Sequence, residues 1–184
     1  LSLQDQSMVR DISEKRYSNA RSKGFVDQKK GPQSCAVTDL DGCGAEFAFC
    51  REVGSPPNLE TKKPDSGWDT VKWGMRIDVK QTAYPDGRLL AKMGTKVGDC
   101  DIYALMIGSF PRYRHAGWTT SGTLIRQENV SSLRRGLEKC YNISQKVLNP
   151  SLVDLERFSQ SDIEDRRWLA KASGNEPPVC YWES

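Results

Sequence analysis

Two carboxylates and a lysine stand out by their spacing. Asp69 lies four residues before Trp73, and Asp78-Val79-Lys80 begins four residues after Gly74. If Trp73-Gly74 are the central residues of a two-residue hairpin turn, Lys72 pairs with Met75 and Asp69 stands opposite Asp78. Side chains alternate along a strand, so Lys80 shares that face. Opposed carboxylates repel, and a divalent cation would offset the repulsion. Mg²⁺ takes carboxylate oxygens, keeps several waters and suits phosphate chemistry, and Mn²⁺ is expected to substitute. A lysine beside it can hold or activate a water. A three-residue loop would put Asp69 opposite Ile77 instead.

The acid-x-Lys triplet carries little weight alone. About two are expected by chance in a chain of this composition, and three occur, at Asp27, Glu60 and Asp78. Only the third falls on an expected strand with an acid across a hairpin. Glu46 is the other notable carboxylate, a lone charge among Ala45, Phe47, Ala48 and Phe49. On periodicity it is either a glutamate at the rim of a buried stripe or a carboxylate aimed into a site.

These residues need elements to hold them. Residues 5 to 22 read as an amphipathic helix. A second helix is expected to start after Thr38 or Asp39 and to run to about Val53, with Gly54 as its stop. Trp68 to Thr82 reads as two strands, and Pro85-Asp86-Gly87 as a turn. Arg88 to Met93 makes a third strand, Asp101 to Gly108 a central buried one, and Arg114 to Thr119 a fifth. Leu133, Leu137, Tyr141 and Leu148 suggest a helix, and Ser161 to Gly174 a last, acidic one around Trp168. The expected fold is α/β (α+β), one mixed sheet of about five strands flanked by helices. A single domain over residues 1–184 is expected, its core at about 10–150 and a helical extension at 151–184.

Composition narrows the class. The chain has 184 residues, 28% charged and 37% hydrophobic, with five Trp, six Tyr and five Phe. That is globular, and its longest apolar run, Ile102 to Ile107, is far short of the ~20 residues of a membrane span. No signal-peptide pattern is expected at its opening. Six cysteines with no Cys-x-x-Cys spacing and a single histidine, His115, argue against structural zinc. They read as reduced thiols of a cytoplasmic protein, with a disulfide-stabilised secreted domain as the competing view. His115 reads as an exposed residue without a role. The net charge is +3, but residues 70 to 127 hold nine Lys and Arg against four acids. Lys72, Lys92, Lys96, Arg112 and Arg114 are candidates for meeting phosphates. Trp73 at the hairpin tip and Tyr113 are candidates for stacking on bases. Tyr103 and Trp118 read as core.

Taken in order, Gly44-Ala45-Glu46-Phe47-Ala48-Phe49, Gly67-Trp68-Asp69, Arg76-Ile77-Asp78-Val79-Lys80-Gln81-Thr82, Asp101-Ile102-Tyr103-Ala104-Leu105 and Gly117-Trp118 resemble the PD-(D/E)XK nuclease superfamily. The small phage and bacterial members are the most similar. The resemblance implies a restriction-endonuclease-like core that hydrolyses DNA phosphodiesters with Mg²⁺, a phage-infected host cell being one setting it allows. Asp69 matches the first metal-binding acid, Asp78 the second and Lys80 the active-site lysine. The Val79 carbonyl joins the metal ligands. Glu46 matches the helix-borne glutamate, a metal ligand that binds directly or through water, and would place a metal-bound water or a second ion. The proline of the motif precedes Asp65 rather than Asp69, so Asp65 is a rival first ligand. The resemblance also allows a catalytically inactive DNA-binding or assembly module on the same fold. For cutting both strands, a homodimer is the economical assembly.

Overall fold

The computed structural model describes residues 1–22, 34–61, 67–133 and 138–158. The expected helix at Ser161 to Gly174, Trp168, Cys180 and Asp65 lie outside these residues.

Helix α1 spans Leu3–Ser22 and α2 spans Cys35–Val53. The start of α2 falls earlier than the Thr38 or Asp39 expected. Ser34 takes the extended cap conformation and its hydroxyl accepts from the Val37 N–H at 3.3 Å, which supplies an orphan helix donor with a partner. Thr38 instead turns its own hydroxyl back onto the Ser34 carbonyl. Gly54 closes the helix in the left-handed region, at φ 63°. Helix α2 is apolar nearly all round because it is covered on two sides. Cys43 and Phe47 pack on Val9 and Ile12 of α1, while Ala45, Phe49 and Val53 pack on the main sheet.

That sheet contains β1 (Thr70–Lys72), β2 (Met75–Thr82), β4 (Ile102–Ser109) and β5 (Arg112–Thr120), in the order β1-β2-β4-β5. Strand β2 is antiparallel to β1 and parallel to β4, and β4 is antiparallel to β5. The sheet is mixed, as expected, with four strands rather than five. The third expected strand, β3 (Arg88–Lys92), joins a second sheet with β6 (Val130–Ser131) and β7 (Cys140–Ser144). That sheet packs on the face of β4 turned away from α2, through Leu89, Ala91, Tyr103, Leu105 and Ile143. Strand β4 is thus buried from both faces, as its apolar run predicts. Arg76 and Asp101 clamp its start to β2: the guanidinium donates to both carboxylate oxygens at 3.1 Å.

The helix expected between Leu133 and Leu148 is not there among the described residues. Residues 140–144 are strand β7, and Gln145–Val147 is a short 3₁₀ turn. Pairing with β3 over its whole length decides the conformation of β7. Short helices at Ser121–Leu124 (α3) and residues 152–158 complete the described elements. Among the described residues no helix is long and apolar enough to cross a membrane.

Candidate active site

The β1–β2 hairpin is where sequence and geometry meet. Trp73 and Gly74 both have positive φ, 51° and 74°, the signature of a two-residue hairpin turn whose twist matches its strands. Lys72 pairs with Met75, Val71 with Arg76 and Thr70 with Ile77. The regular ladder ends there: Asp69 stands against Ile77, as Thr70 does, and not in register opposite Asp78.

Strand β1 stops at Thr70, and Asp69 completes the edge with its side chain. Its N–H donates to the Ile77 carbonyl at 2.9 Å, and its carboxylate accepts from the Val79 N–H at 2.8 Å. The Val79 N–H and C=O project to the same side of the strand, so the Val79 carbonyl also faces the Asp69 edge. Lys80 Nζ donates to Asp78 Oδ1 at 2.7 Å. Asp78 is nearly buried, its side chain 12% exposed. Burial pushes its pKa up to about 6 against the pull of the Lys80 ammonium, and the Asp69 carboxylate pushes the same way. For Lys80, burial favours the neutral amine, but the Asp78 carboxylate and its hydrogen bond prevail and raise the pKa above the ordinary lysine value.

Glu46 reaches the same neighbourhood from α2. Cys43 and Cys50 flank it on the helix, and both sense the Glu46 and Asp69 charges. Burial pushes these thiols up to about 12 and about 11, so neither is a nucleophile at neutral pH. The five described cysteines are free.

The residue that sequence reading missed is Arg16 of α1. Its Nη1 donates to Glu46 Oε2 at 2.7 Å, its Nη2 to the Asn58 carbonyl at 3.1 Å and its Nε to the Glu60 carbonyl at 3.0 Å. Asp69 is also near enough to raise its pKa. One signal pointed to it: Arg16 continues the buried stripe of Val9, Ile12 and Ser13 on α1, a charge where periodicity calls for an apolar residue.

The donor chemistry fits one kind of ion. No group of three or more His, Cys, Asp or Glu side chains is placed to hold a metal among the described residues. Asp69 and Asp78 form a two-carboxylate set with a strand carbonyl beside it. Mg²⁺ is held by one or two carboxylates plus waters and substrate phosphate, unlike Ca²⁺ or structural Zn²⁺.

The expected phosphate contacts do not form one patch. Lys72 and Trp73 sit at the turn beside the start of β2, and Arg112 lies at the opposite end of the sheet, past Ser109. Trp73 is half-buried on the α2 core with the Lys72 ammonium 5.4 Å from its ring centre, and Lys72 also donates to the Gly54 carbonyl. Arg114 is exposed but tied to the Pro85 carbonyl at 3.2 Å. Lys92 and Lys96 are exposed near the end of β3 and before β4. Tyr113 donates to the Asp41 carbonyl, so its edge is used within the fold. Tyr103 and Trp118 are buried, at 1% and 6% exposure. His115, expected to be exposed, lies against Phe49 with ring centres 5.9 Å apart, and burial pulls its pKa down to about 4.

No protein-family model matches the chain, and no curated protein or solved structure matches it significantly.

Proposed function

We propose that this protein is a metal-dependent DNA endonuclease of the PD-(D/E)XK type, with a restriction-endonuclease-like core, hydrolysing phosphodiester bonds. The observation that carries the reading is the meeting of Asp69, Asp78 and Lys80 at the open edge of the β1–β2 hairpin. Asp69, Asp78 and the Val79 carbonyl would hold the ion. A divalent cation bound there supplies Lewis-acid polarisation of the scissile phosphate and neutralises the charge that develops on it. Lys80 stays protonated beside Asp78, so it acts by donating a hydrogen bond that orients the attacking water. Asp69, pinned by the Val79 N–H, keeps its second oxygen directed by the backbone rather than by a flexible rotamer.

Incubation of the purified protein with supercoiled plasmid and with branched DNA, in Mg²⁺, Mn²⁺ or EDTA, tests this. Metal-dependent cutting is expected, with losses of about 10²-fold or more in Lys80→Ala and Asp78→Ala. Normal cutting by either variant would overturn the assignment. Binding without cutting of any DNA would favour the catalytically silent module on the same fold.

A further inference from the structure

The pairing of Glu46 with Arg16 bears on how many ions the site takes. The charge of Asp69 is felt by two ion pairs, Asp78 with Lys80 and Glu46 with Arg16. The second pair is set tightly. The Arg16 and Glu46 side chains are only 20% and 22% exposed, and their nitrogen and oxygen are 2.7 Å apart. Arg16 cannot easily swing out, because its other two nitrogens are held by the Asn58 and Glu60 carbonyls. Nor can it discharge, since a guanidinium stays protonated at any working pH.

An ion seated on Glu46 would have to share that carboxylate with a fixed cation. Alternatively it would displace Arg16 and leave a mostly buried guanidinium facing a divalent charge with only two neutral carbonyls as partners. Both outcomes are strongly unfavourable. Among the described residues the cation hydrogen-bonded to the pair of Asp69 and Asp78 is Lys80, on Asp78; it is 39% exposed on a flexible stem and can move aside, while Arg16 acts on Asp69 through its charge alone.

We infer that Arg16 takes the place of a second cation: it holds Glu46 out of the ligand set, and the site takes one divalent ion per chain, on Asp69 and Asp78. This rests on the metal-dependent reading above and gives Arg16 the role of a positioning residue, acting through Glu46.

Mn²⁺ binding to the purified full chain without DNA, followed by electron paramagnetic resonance of the free ion and by calorimetry, tests it apart from activity. The wild type should bind one Mn²⁺. Glu46→Gln should bind with affinity within about twofold of wild type, since that carboxylate is already spoken for. Arg16→Met, its folding checked by circular dichroism, should gain a second ion or bind about tenfold more tightly, and Arg16→Lys should keep the single-ion isotherm. Two ions on the wild type, a tenfold or greater loss in Glu46→Gln, or a folded Arg16→Met with an unchanged isotherm would each overturn the inference. If Arg16→Met does not fold, Glu46→Gln decides. A wild type that binds no Mn²⁺, like Asp78→Asn, would instead overturn the metal reading itself and the role of Arg16 with it.

Discussion

Asp78 is the residue at which stability and the proposed function pull apart. Its pKa rises from an ordinary value of 3.8 to about 6, through burial and the Asp69 charge. The folded chain therefore holds the proton more tightly than the unfolded one. The stability that this group contributes is fully present below pH 4 and is lost as pH rises through about 6. At neutral pH the ionised carboxylate works against the fold. Asp78→Asn should be more stable than wild type at pH 7.5 by about 1 kcal/mol, a discounted share of the linkage, in which the pull of Lys80 is already included. The difference should vanish near pH 4, where both side chains are neutral. Urea unfolding of the two proteins at both pH values checks this, and a wild type that is the more stable at pH 7.5 would contradict it. Asp69, Asp78 and Lys80 were legible in the sequence because one turn sets their relation, and that turn is local. Arg16 was not, since its partners are 30 to 44 residues away and α1 carries charges at most turns.

At the scale of elements, the hairpin turn sets the site. Gly74 at φ 74° lies in the left-handed region, which a β-carbon disfavours. Gly74→Ala should cost about 1 kcal/mol, and Gly74→Asn less, because asparagine tolerates that region. Chemical denaturation measures the difference. A shift of one residue in register would also turn Asp78 and Lys80 to the other face, so Mn²⁺ affinity should be kept in any variant that keeps the turn. The same physics explains why β7 was misread. Leu133, Leu137 and Tyr141 follow a four-residue spacing and Leu148 comes seven further on, but Tyr141-Asn142-Ile143 prefer an extended backbone. The five-residue ladder with Arg88–Lys92 then decides, and no local pattern announces a partner some 50 residues away. Strand β4 was legible for the opposite reason: an apolar run buried on both faces needs no knowledge of which strand lies beside it.

For the whole molecule, the question is what holds the second sheet on the first. The joint is at β5. Trp118 exchanges two backbone hydrogen bonds with Asn149, at 2.9 and 3.0 Å, and its indole N–H donates to the Ser151 carbonyl at 2.8 Å. Leu148, next to that strap, packs into the core beneath the second sheet, and Trp118 packs into the core beneath α2. Gly117 lies between them at φ 142°, where a β-carbon would stand 2.6 Å from Leu148 Cβ and 2.9 Å from the Asn149 carbonyl oxygen. Neither neighbour is a flexible tip, so the strap itself would have to lift, loosening both cores at once. Gly117→Ala should therefore cost about 3 kcal/mol or more. Gly42 is the control: it lies within α2 with nothing within 4 Å of a β-carbon, and Ala there should stabilise by about 0.5–1 kcal/mol. Strand β5 is the edge of the main sheet opposite β1, so Gly117→Ala should lower the unfolding temperature while the molecules still folded bind Mn²⁺ as wild type does. An equal effect of the two substitutions on stability would show that the joint yields freely, and loss of Mn²⁺ binding in folded Gly117→Ala would show that the far edge of the sheet senses it.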